Sequence, residues 1–369
     1  MNRPFRPVLL ALIVCVLCLP ACVAPTSLSR GNLQRGPYLQ QATPTSIVVV
    51  WRTQGPIDPV VRFGEKSGGL TQEVRGEAIT LRVSADVEAS PEIPRLYKEP
   101  AEDIAKRRGE TDPSTPANTY QYEAHLSGLN PHSKYHYAIH DGGRKLAGGD
   151  QDHYFVTHPL PGSAPDMRIW VVGDSGNGSA EQISVHDAMR AYVAKSGRPL
   201  DHYIHVGDMA YGDGTDPQFQ DFFFAPYQAT LRNIVCWPSM GNHEGHTSRG
   251  ISQFGPYYDA YVVPTAAEAG GVPSGTEAYY SFDISGVHFI CLNSHDLDRG
   301  VNSAMAQWLR ADLDQTKARW LVAFWHHPPY TLGSHCSDRE TQLIEMRQNF
   351  MPILEGAGVD LVLTGHSHI

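Results

Sequence analysis

Two histidines separated by one residue, His366 and His368, follow the β-prone run LVLTG close to the last residue of the sequence. In an extended segment, the side chains of residues i and i+2 point to the same side. The two imidazoles are therefore predicted to face one position together at the end of a buried strand. We expect a ligand that both side chains share at that position.

Four other short apolar runs also end in polar residues, namely those followed by GDSG, GDMAY, GNHE and HHPPY. One Gly-Asp pair after a strand is more often a turn, and one histidine is more often part of a core. Five such strand ends in one repeating pattern instead favour a common site. The donors that they supply are Asp174, Asp208, Tyr211, Asn242, His326, His327, His366 and His368.

Helical segments alternate with these strands from residue 166 onwards, which predicts an α/β domain of β-sheets flanked by helices over 166–369. The first helix is expected to start at a Ser179 and Gln182 capping box and to end at Gly197. Val185, Met189 and Tyr192 are predicted to lie on one face of this helix. In such domains the chemistry collects at the carboxyl ends of the strands.

The preceding segment, residues 33–158, has short alternating strands such as SIVVVWRT with Gly and Pro between them. This pattern predicts an all-β sandwich. A charged, Pro-rich insert between about residues 85 and 118 is interpreted as a solvated loop. The stretch HPLPGSAPD is expected to link the two domains.

Residues 1–24 have the features of an export signal, with Arg3 and Arg6 ahead of a short apolar run. LPAC resembles a bacterial lipobox, which predicts lipidation of Cys22 and a lipid anchor in the bacterial envelope. Cleavage near Ala24, giving a soluble periplasmic or extracellular protein, is the alternative. Both alternatives place the protein outside the cytoplasm.

Composition limits the partners. The formal net charge of −10 disfavours non-specific nucleic-acid binding, which depends on lysine and arginine. A phosphate-bearing substrate would need a local positive centre. Cys291 is expected to be a buried thiol, whereas pairing of Cys236 with Cys336 stays open. The sequence does not indicate an oligomeric state.

The five blocks, taken in order from Gly173 to His368, resemble the metallophosphoesterases, and specifically the purple acid phosphatases. The pattern of that family is GD-x-G, GD-x-x-Y, GNH-[ED], H-x-P and GH-x-H. The tyrosine of GDMAY points to the purple branch. Segments of the β domain, such as RGPYLQQATPTSIVVVWRT, are similar to the fibronectin type III-like N-terminal domain of the same family.

The resemblance implies a binuclear metal centre with ions ~3.5–4 Å apart. One ion, Fe³⁺, would take Asp174, Tyr211 and His368. The other, a divalent Zn, Mn or Fe ion, would take Asn242, His326 and His366, with Asp208 as the bridge. His327 is the alternative to His326, although the register of H-x-P-x-Y favours His326.

The function implied is hydrolysis of small phosphate monoesters by a metal-bridging hydroxide, as in an acid phosphatase. His243 would contact phosphate or protonate the leaving group, and His335 would bind phosphate. Glu244 is expected to orient His243. A phosphodiesterase or nucleotide hydrolase is an alternative within the same class. A non-catalytic secreted binding protein is an alternative from another class. The retention of every ligand position argues against it.

Relatives in this family continue after GH-x-H, whereas His368 is the penultimate residue here. We therefore expect the C-terminal part of the catalytic domain to be missing from this sequence. A strand end so close to a chain end is expected to fray unless other residues hold it.

Overall fold

The fold comprises two domains in the order expected from the sequence. The computed structural model describes residues 31–79, 81, 118–163 and 166–368. The predicted export signal with Cys22 and the Pro-rich insert lie outside the described residues.

The N-terminal domain is built of antiparallel strands in two sheets, with strand orders β1-β2-β6-β5 and β4-β3-β7-β8, and β9 pairs with β7. Alternating aromatic and β-branched residues such as Trp51 and Val61 fill the core. The predicted β-sandwich is therefore confirmed. The strands are β1 (Asn32–Gln40), β2 (Ser46–Gln54), β3 (Pro59–Gly64), β4 (Gln72–Arg75), β5 (Glu77–Ile79), β6 (Thr119–Ser127), β7 (Lys134–Asp141), β8 (Arg144–Gly148) and β9 (Tyr154–Val156).

The second domain holds two further sheets. One is parallel, with strand order β10-β11-β12, and the other has the order β13-β14-β15-β16. In the second sheet β13 and β14 form the predicted hairpin at Ser285, and β14, β15 and β16 are parallel. The strands are β10 (Ile169–Val172), β11 (His202–His205), β12 (Cys236–Pro238), β13 (Tyr280–Ile284), β14 (Val287–Cys291), β15 (Trp320–Phe324) and β16 (Leu361–Leu363).

Helices connect these strands, which confirms the α/β fold. Among the described residues no helix is long and apolar enough to cross a membrane. The α-helices span Ala180–Ser196, Asp216–Phe219, Ala225–Leu231, Pro256–Ala260, Ala304–Gln315, Thr341–Glu345 and Met351–Gly356. Two π turns, Gln220–Phe224 and Met346–Phe350, continue helices, and Glu244–His246 is a 3₁₀ turn.

The helix Ala180–Ser196 has the predicted ends, because Ser179 accepts the Gln182 N–H and Gly197 adopts the left-handed conformation. The apolar face of this helix is not its buried face, because Val185 and Tyr192 are 55% and 65% exposed. Gln182 and His186 are buried instead. Their side chains bond the Phe222 carbonyl and the Thr230 hydroxyl, so polar contacts and not apolar periodicity orient this helix.

The strand β16, predicted to be buried, is only partly so, with Leu361 49% exposed, and β10 is likewise only partly buried. The reason is their position, because each is an edge strand of its own sheet. The two edges meet where the strands end: a Cβ on Gly173 would lie 3.6 Å from Gly365 Cα. The carboxyl ends of both sheets therefore open onto one place.

The two domains share a buried polar interface. Arg35 and Arg52 of the β-sandwich both bond the carboxylate of Asp216 in the second domain, and all three side chains are buried. The Tyr38 hydroxyl donates to the Ala260 carbonyl at 2.9 Å. Removing the Asp216 carboxylate would leave two buried guanidinium groups without their partner, which is strongly destabilising.

A second buried ionic group lies in the sheet that carries β14. The His288 ring, fully buried, donates through Nδ1 to Asp283 and through Nε2 to Asp312, both at 2.8 Å. Asp312 also accepts from Ser281 and from the Val272 N–H. Burial alone would lower the pKa of His288, but the two carboxylates outweigh it and raise that pKa to about 9.

This shift predicts a loss of stability in alkali. Because the folded pKa exceeds the unfolded value of about 6.5, the contribution of about 3 kcal/mol is complete below pH ~6.5 and disappears as the pH rises through 9. Urea unfolding followed from pH 6 to 9.5 should show this decline in the wild type. The double variant His288→Gln/Asp312→Asn should show a shallower decline, whereas the exposed-site control His125→Gln should match the wild type. Parallel curves for the wild type and the double variant would refute the assignment.

Candidate metal centre

The first group of predicted donors gathers the ends of β10, β11 and β16. The Tyr211 hydroxyl lies 3.4 Å from Asp174 Oδ1 and 3.2 Å from His368 Nε2. His368 Nε2 lies 3.2 Å from the same carboxylate oxygen. These three atoms surround one position, and they come from both sheets.

The second group gathers the ends of β12, β15 and β16. His326 Nε2 lies 3.0 Å from Asn242 Oδ1, 3.2 Å from His366 Nδ1 and 3.2 Å from Asp208 Oδ2. The Nδ1 of His326 lies 2.8 Å from the Val206 carbonyl, so it carries a proton, and Nε2 is the nitrogen that can offer a lone pair to a bound ion once it is deprotonated.

His327, the alternative to His326, is placed differently. Its Nδ1 lies 2.9 Å from the Ser294 hydroxyl, and its ring packs 4.4 Å from the His366 ring, measured between centroids. Burial and the neighbouring His326 lower the pKa of His327. This geometry favours His326 as the donor.

Glu244 occupies a place that the sequence did not suggest. Its fully buried carboxylate accepts the N–H groups of Asp208, Met209, Ala210 and Gly241 at 2.8–3.1 Å. It therefore fixes the turn that carries Asp208, and the expectation that it orients the His243 ring is corrected. Burial and the nearby Asp208 charge raise the pKa of Glu244 to about 7, although these N–H groups oppose the shift.

The backbone is strained at three of the donors. Asp174, Asp208 and His366 have φ values of 55°, 56° and 70°, in the left-handed region that residues other than glycine rarely adopt. Such conformations cost on the order of 1–3 kcal/mol each and cluster at functional sites. Close packing adds to the constraint, because a Cβ on Gly207 would lie 2.5 Å from His326 Nδ1.

His243 stands beside both groups. Its Nδ1 donates to the Gly212 carbonyl at 2.5 Å, and its Nε2 lies 3.9 Å from Asp208 Oδ2. The ring packs against Tyr211 with 4.3 Å between ring centroids. Nε2 is therefore the nitrogen that this ring can offer to a substrate.

His335 also reaches the centre, at the second group of donors. Its ring stacks on His366 with 3.7 Å between centroids. Its Nδ1 donates to Glu340 at 2.9 Å, and Glu340 also lies 3.4 Å from His366 Nε2. Sequence reasoning missed Glu340, since only an acidic residue five positions after His335 could have pointed to it.

The strand end with His366 and His368 is held by the loop before Glu340. Thr331 donates to the Ser367 hydroxyl at 2.7 Å, and the His368 N–H donates to the Ser334 hydroxyl at 2.8 Å. The His366 N–H donates to Asp174. The support that the sequence could not show is thus supplied by loop residues far away along the chain.

The donor set fits metal ions. Carboxylate, phenol and amide oxygens with imidazole nitrogens suit Fe³⁺ and first-row divalent ions. Burial and the carboxylates of Asp208 and Asp174 raise the pKa of Tyr211, so positive charge at this position would be needed to ionise the phenol. Burial opposes ionisation of Asp208, but His326 outweighs it and lowers the Asp208 pKa.

The three described cysteines are free thiols, with Cys236 and Cys291 buried and Cys336 partly exposed. Burial raises the pKa of Cys291, as expected for an inert core thiol. Cys236 and Cys336 are therefore unpaired in this structure.

Comparison with known sequences identifies the family. The profile of the calcineurin-like phosphoesterase family matches residues 167–369, and that of the purple acid phosphatase N-terminal domain matches residues 35–157. Purple acid phosphatase 23 of Arabidopsis thaliana is 30% identical over 66% of this chain and 55% of its own length. Purple acid phosphatase 15 of the same plant is 28% identical over 92% of this chain and 59% of its own length. The chain thus spans a little over half the length of these relatives.

Solved structures show the same fold. A purple acid phosphatase from yellow lupin (Lupinus luteus) seeds superposes with a TM-score of 0.67 at 18% identity, covering 90% of this chain and 58% of its own. The structure of PhoD gives a TM-score of 0.58 at 14% identity, covering 92% and 72%. The chain belongs to the calcineurin-like phosphoesterase family and has the fold of a purple acid phosphatase.

Proposed function

We propose that this protein hydrolyses phosphate monoesters at a centre of two metal ions, Fe³⁺ and a divalent Zn, Mn or Fe ion. The observation that carries the proposal is the convergence of two donor groups at the junction of two sheets. Asp174, Tyr211 and His368 would hold one ion, whereas Asn242, His326 and His366 would hold the other. Asp208 would bridge them.

Bound ions of this kind neutralise phosphate charge and activate the attacking water. The chain's own residues prepare the site for that chemistry. Glu244 fixes the Asp208 turn through four backbone N–H groups, so the carboxylate needs no rearrangement when substrate arrives. The Gly212 carbonyl fixes the proton of His243 on Nδ1.

His243 is assigned to the leaving group or to a phosphate oxygen. With Nδ1 held by Gly212, a protonated His243 presents its second N–H from Nε2, beside Asp208. His335, stacked on His366, supplies a further imidazole, which would donate from Nε2 when the ring is protonated. A monoester has three non-ester oxygens and a diester has two, so additional imidazole donors at the centre favour the monoester.

The proposal predicts a preference that can be measured directly. The chain loaded with iron and zinc should hydrolyse p-nitrophenyl phosphate with a higher kcat/KM than bis(p-nitrophenyl) phosphate. Asp208→Asn should abolish both activities, because it weakens both ion sites, and Asp221→Asn, a change at an exposed position, should not. A higher kcat/KM for the diester would favour the phosphodiesterase alternative, and a metal-loaded chain inactive on both would favour a binding protein.

The iron assignment predicts colour. A phenolate on Fe³⁺ absorbs visible light, so Tyr211→Phe should lose the band while most of the metal remains bound through Asp174 and His368. Absorption spectra with metal analysis of the same samples would test this, with the exposed Tyr330→Phe as the matched control. A colourless wild type carrying two ions would refute Fe³⁺ but not the phosphoesterase.

The role of His243 predicts a loss of turnover without a loss of metal. His243→Ala should lower kcat about 10²–10⁴-fold, the range of general acid–base contributions. Metal content should match that of the wild type and of a surface control, His125→Ala. If His243→Ala instead lost an ion, His243 would be a metal ligand and its assignment here would be wrong.

A further inference from the structure

Glu340 lies between His335 and His366, whose rings stack beside the second donor group. It immediately precedes the helix Thr341–Glu345, and its carboxylate faces back to the loop. One oxygen accepts the Cys336 N–H at 2.8 Å, which fixes the carboxylate. The other lies 2.9 Å from His335 Nδ1 and 3.4 Å from His366 Nε2.

The two ring nitrogens of His366 need different partners, and the Glu340 carboxylate is the partner of one of them. His366 Nδ1 faces the donor group, 3.2 Å from His326 Nε2, so it must keep a lone pair to act as a ligand. The proton of the neutral ring must then sit on Nε2, which needs an acceptor. In His326 the Val206 carbonyl accepts the proton of the ring nitrogen that faces away from the group. In His366 the Glu340 carboxylate is the acceptor.

The same Glu340 oxygen also fixes the orientation of the His335 ring. His335 donates from Nδ1 to Glu340, so the lone pair of the neutral ring stays on Nε2. The His335 ring lies 3.7 Å above His366 at an interplanar angle of 30°. One carboxylate thus fixes the orientation of a metal-facing histidine and of the histidine stacked on it.

We propose that Glu340 is a positioning residue that holds His366 with Nδ1 towards the metal position and holds His335 above it. The inference rests on the proposed two-metal centre, because it assigns the nitrogen through which His366 would bind. It does not depend on which phosphate ester is the substrate. The expected consequence is a tighter hold on the ion shared by Asn242, His326 and His366.

Glu340→Gln tests the inference with little change in shape. The amide oxygen can still accept the Cys336 N–H, but the NH₂ group would then face His335 and His366 and disfavour protons on the nitrogens that now donate. Loss of a carboxylate that orients a ligand histidine typically costs about 10–100-fold in metal affinity. Glu355→Gln, an exposed change in the helix Met351–Gly356, is the matched control.

The measurement is zinc and iron binding by the full chain in competition with a chelator, together with the melting temperature of the metal-free chain. Glu340→Gln should raise the Kd of one ion about 10–100-fold. It should leave the visible band of the other ion and the metal-free melting temperature unchanged. Glu355→Gln should match the wild type in every readout.

Three results would overturn the inference. Unchanged Kd values for both ions would show that Glu340 does not orient His366. Weaker binding of both ions with a lower metal-free melting temperature would show a general structural role. Loss of a third zinc ion, with the other two unaffected, would show that His335, Glu340 and His366 form a separate zinc site. Failure of the proposed function reads out differently, as normal metal binding in a wild type that releases no phosphate.

Discussion

The arrangement of the whole centre depends on one buried carboxylate. Glu244, fully buried, binds three consecutive N–H groups of the Asp208 turn and the N–H of Gly241. It therefore ties the end of β11 to the end of β12 and sets the position of Asp208. Burying a carboxylate beside another is costly, as the raised pKa of Glu244 shows, and four hydrogen bonds offset that cost. The positions of the donors that contact Asp208 therefore depend on Glu244.

The two ion positions extend the same constraint across the domain. Each donor group takes residues from both sheets: Asp174 meets His368, and Asn242 meets His326, which in turn meets His366. Bound ions would therefore join the sheets where their edges meet. Metal affinity and domain stability are coupled in such an arrangement, because ions that bind only the folded form stabilise it. The left-handed backbone at Asp174, Asp208 and His366 is tolerated because the surrounding hydrogen bonds determine it.

The sequence predicted what periodicity and local chemistry encode. Apolar runs followed by GD, GNH or GHSH placed Asp174, Asp208 and the histidines at strand ends. Contacts between elements that are far apart in the sequence could not be predicted from it. The Glu340 carboxylate and the Ser334 hydroxyl act on His366 and His368 from a loop that has no motif. The packing of the helix Ala180–Ser196 could not be predicted for the same reason: its buried side has polar partners on a different segment, which no hydrophobic period reveals.

The N-terminal domain also helps to position the centre, because two of its arginines bind the segment that follows Tyr211. Arg35 and Arg52 reach the Asp216 carboxylate, which follows Tyr211 by only five residues. Thr215, between them, caps the short helix that begins at Asp216. The segment that carries the phenol is therefore anchored at one end by Glu244 and at the other by two arginines of the β-sandwich. Because those charges are buried, removing the Asp216 carboxylate would leave two guanidinium groups without their partner, at a cost of about 3–5 kcal/mol. Correct placement of Tyr211 thus depends on a domain whose described residues contribute no donor to the centre.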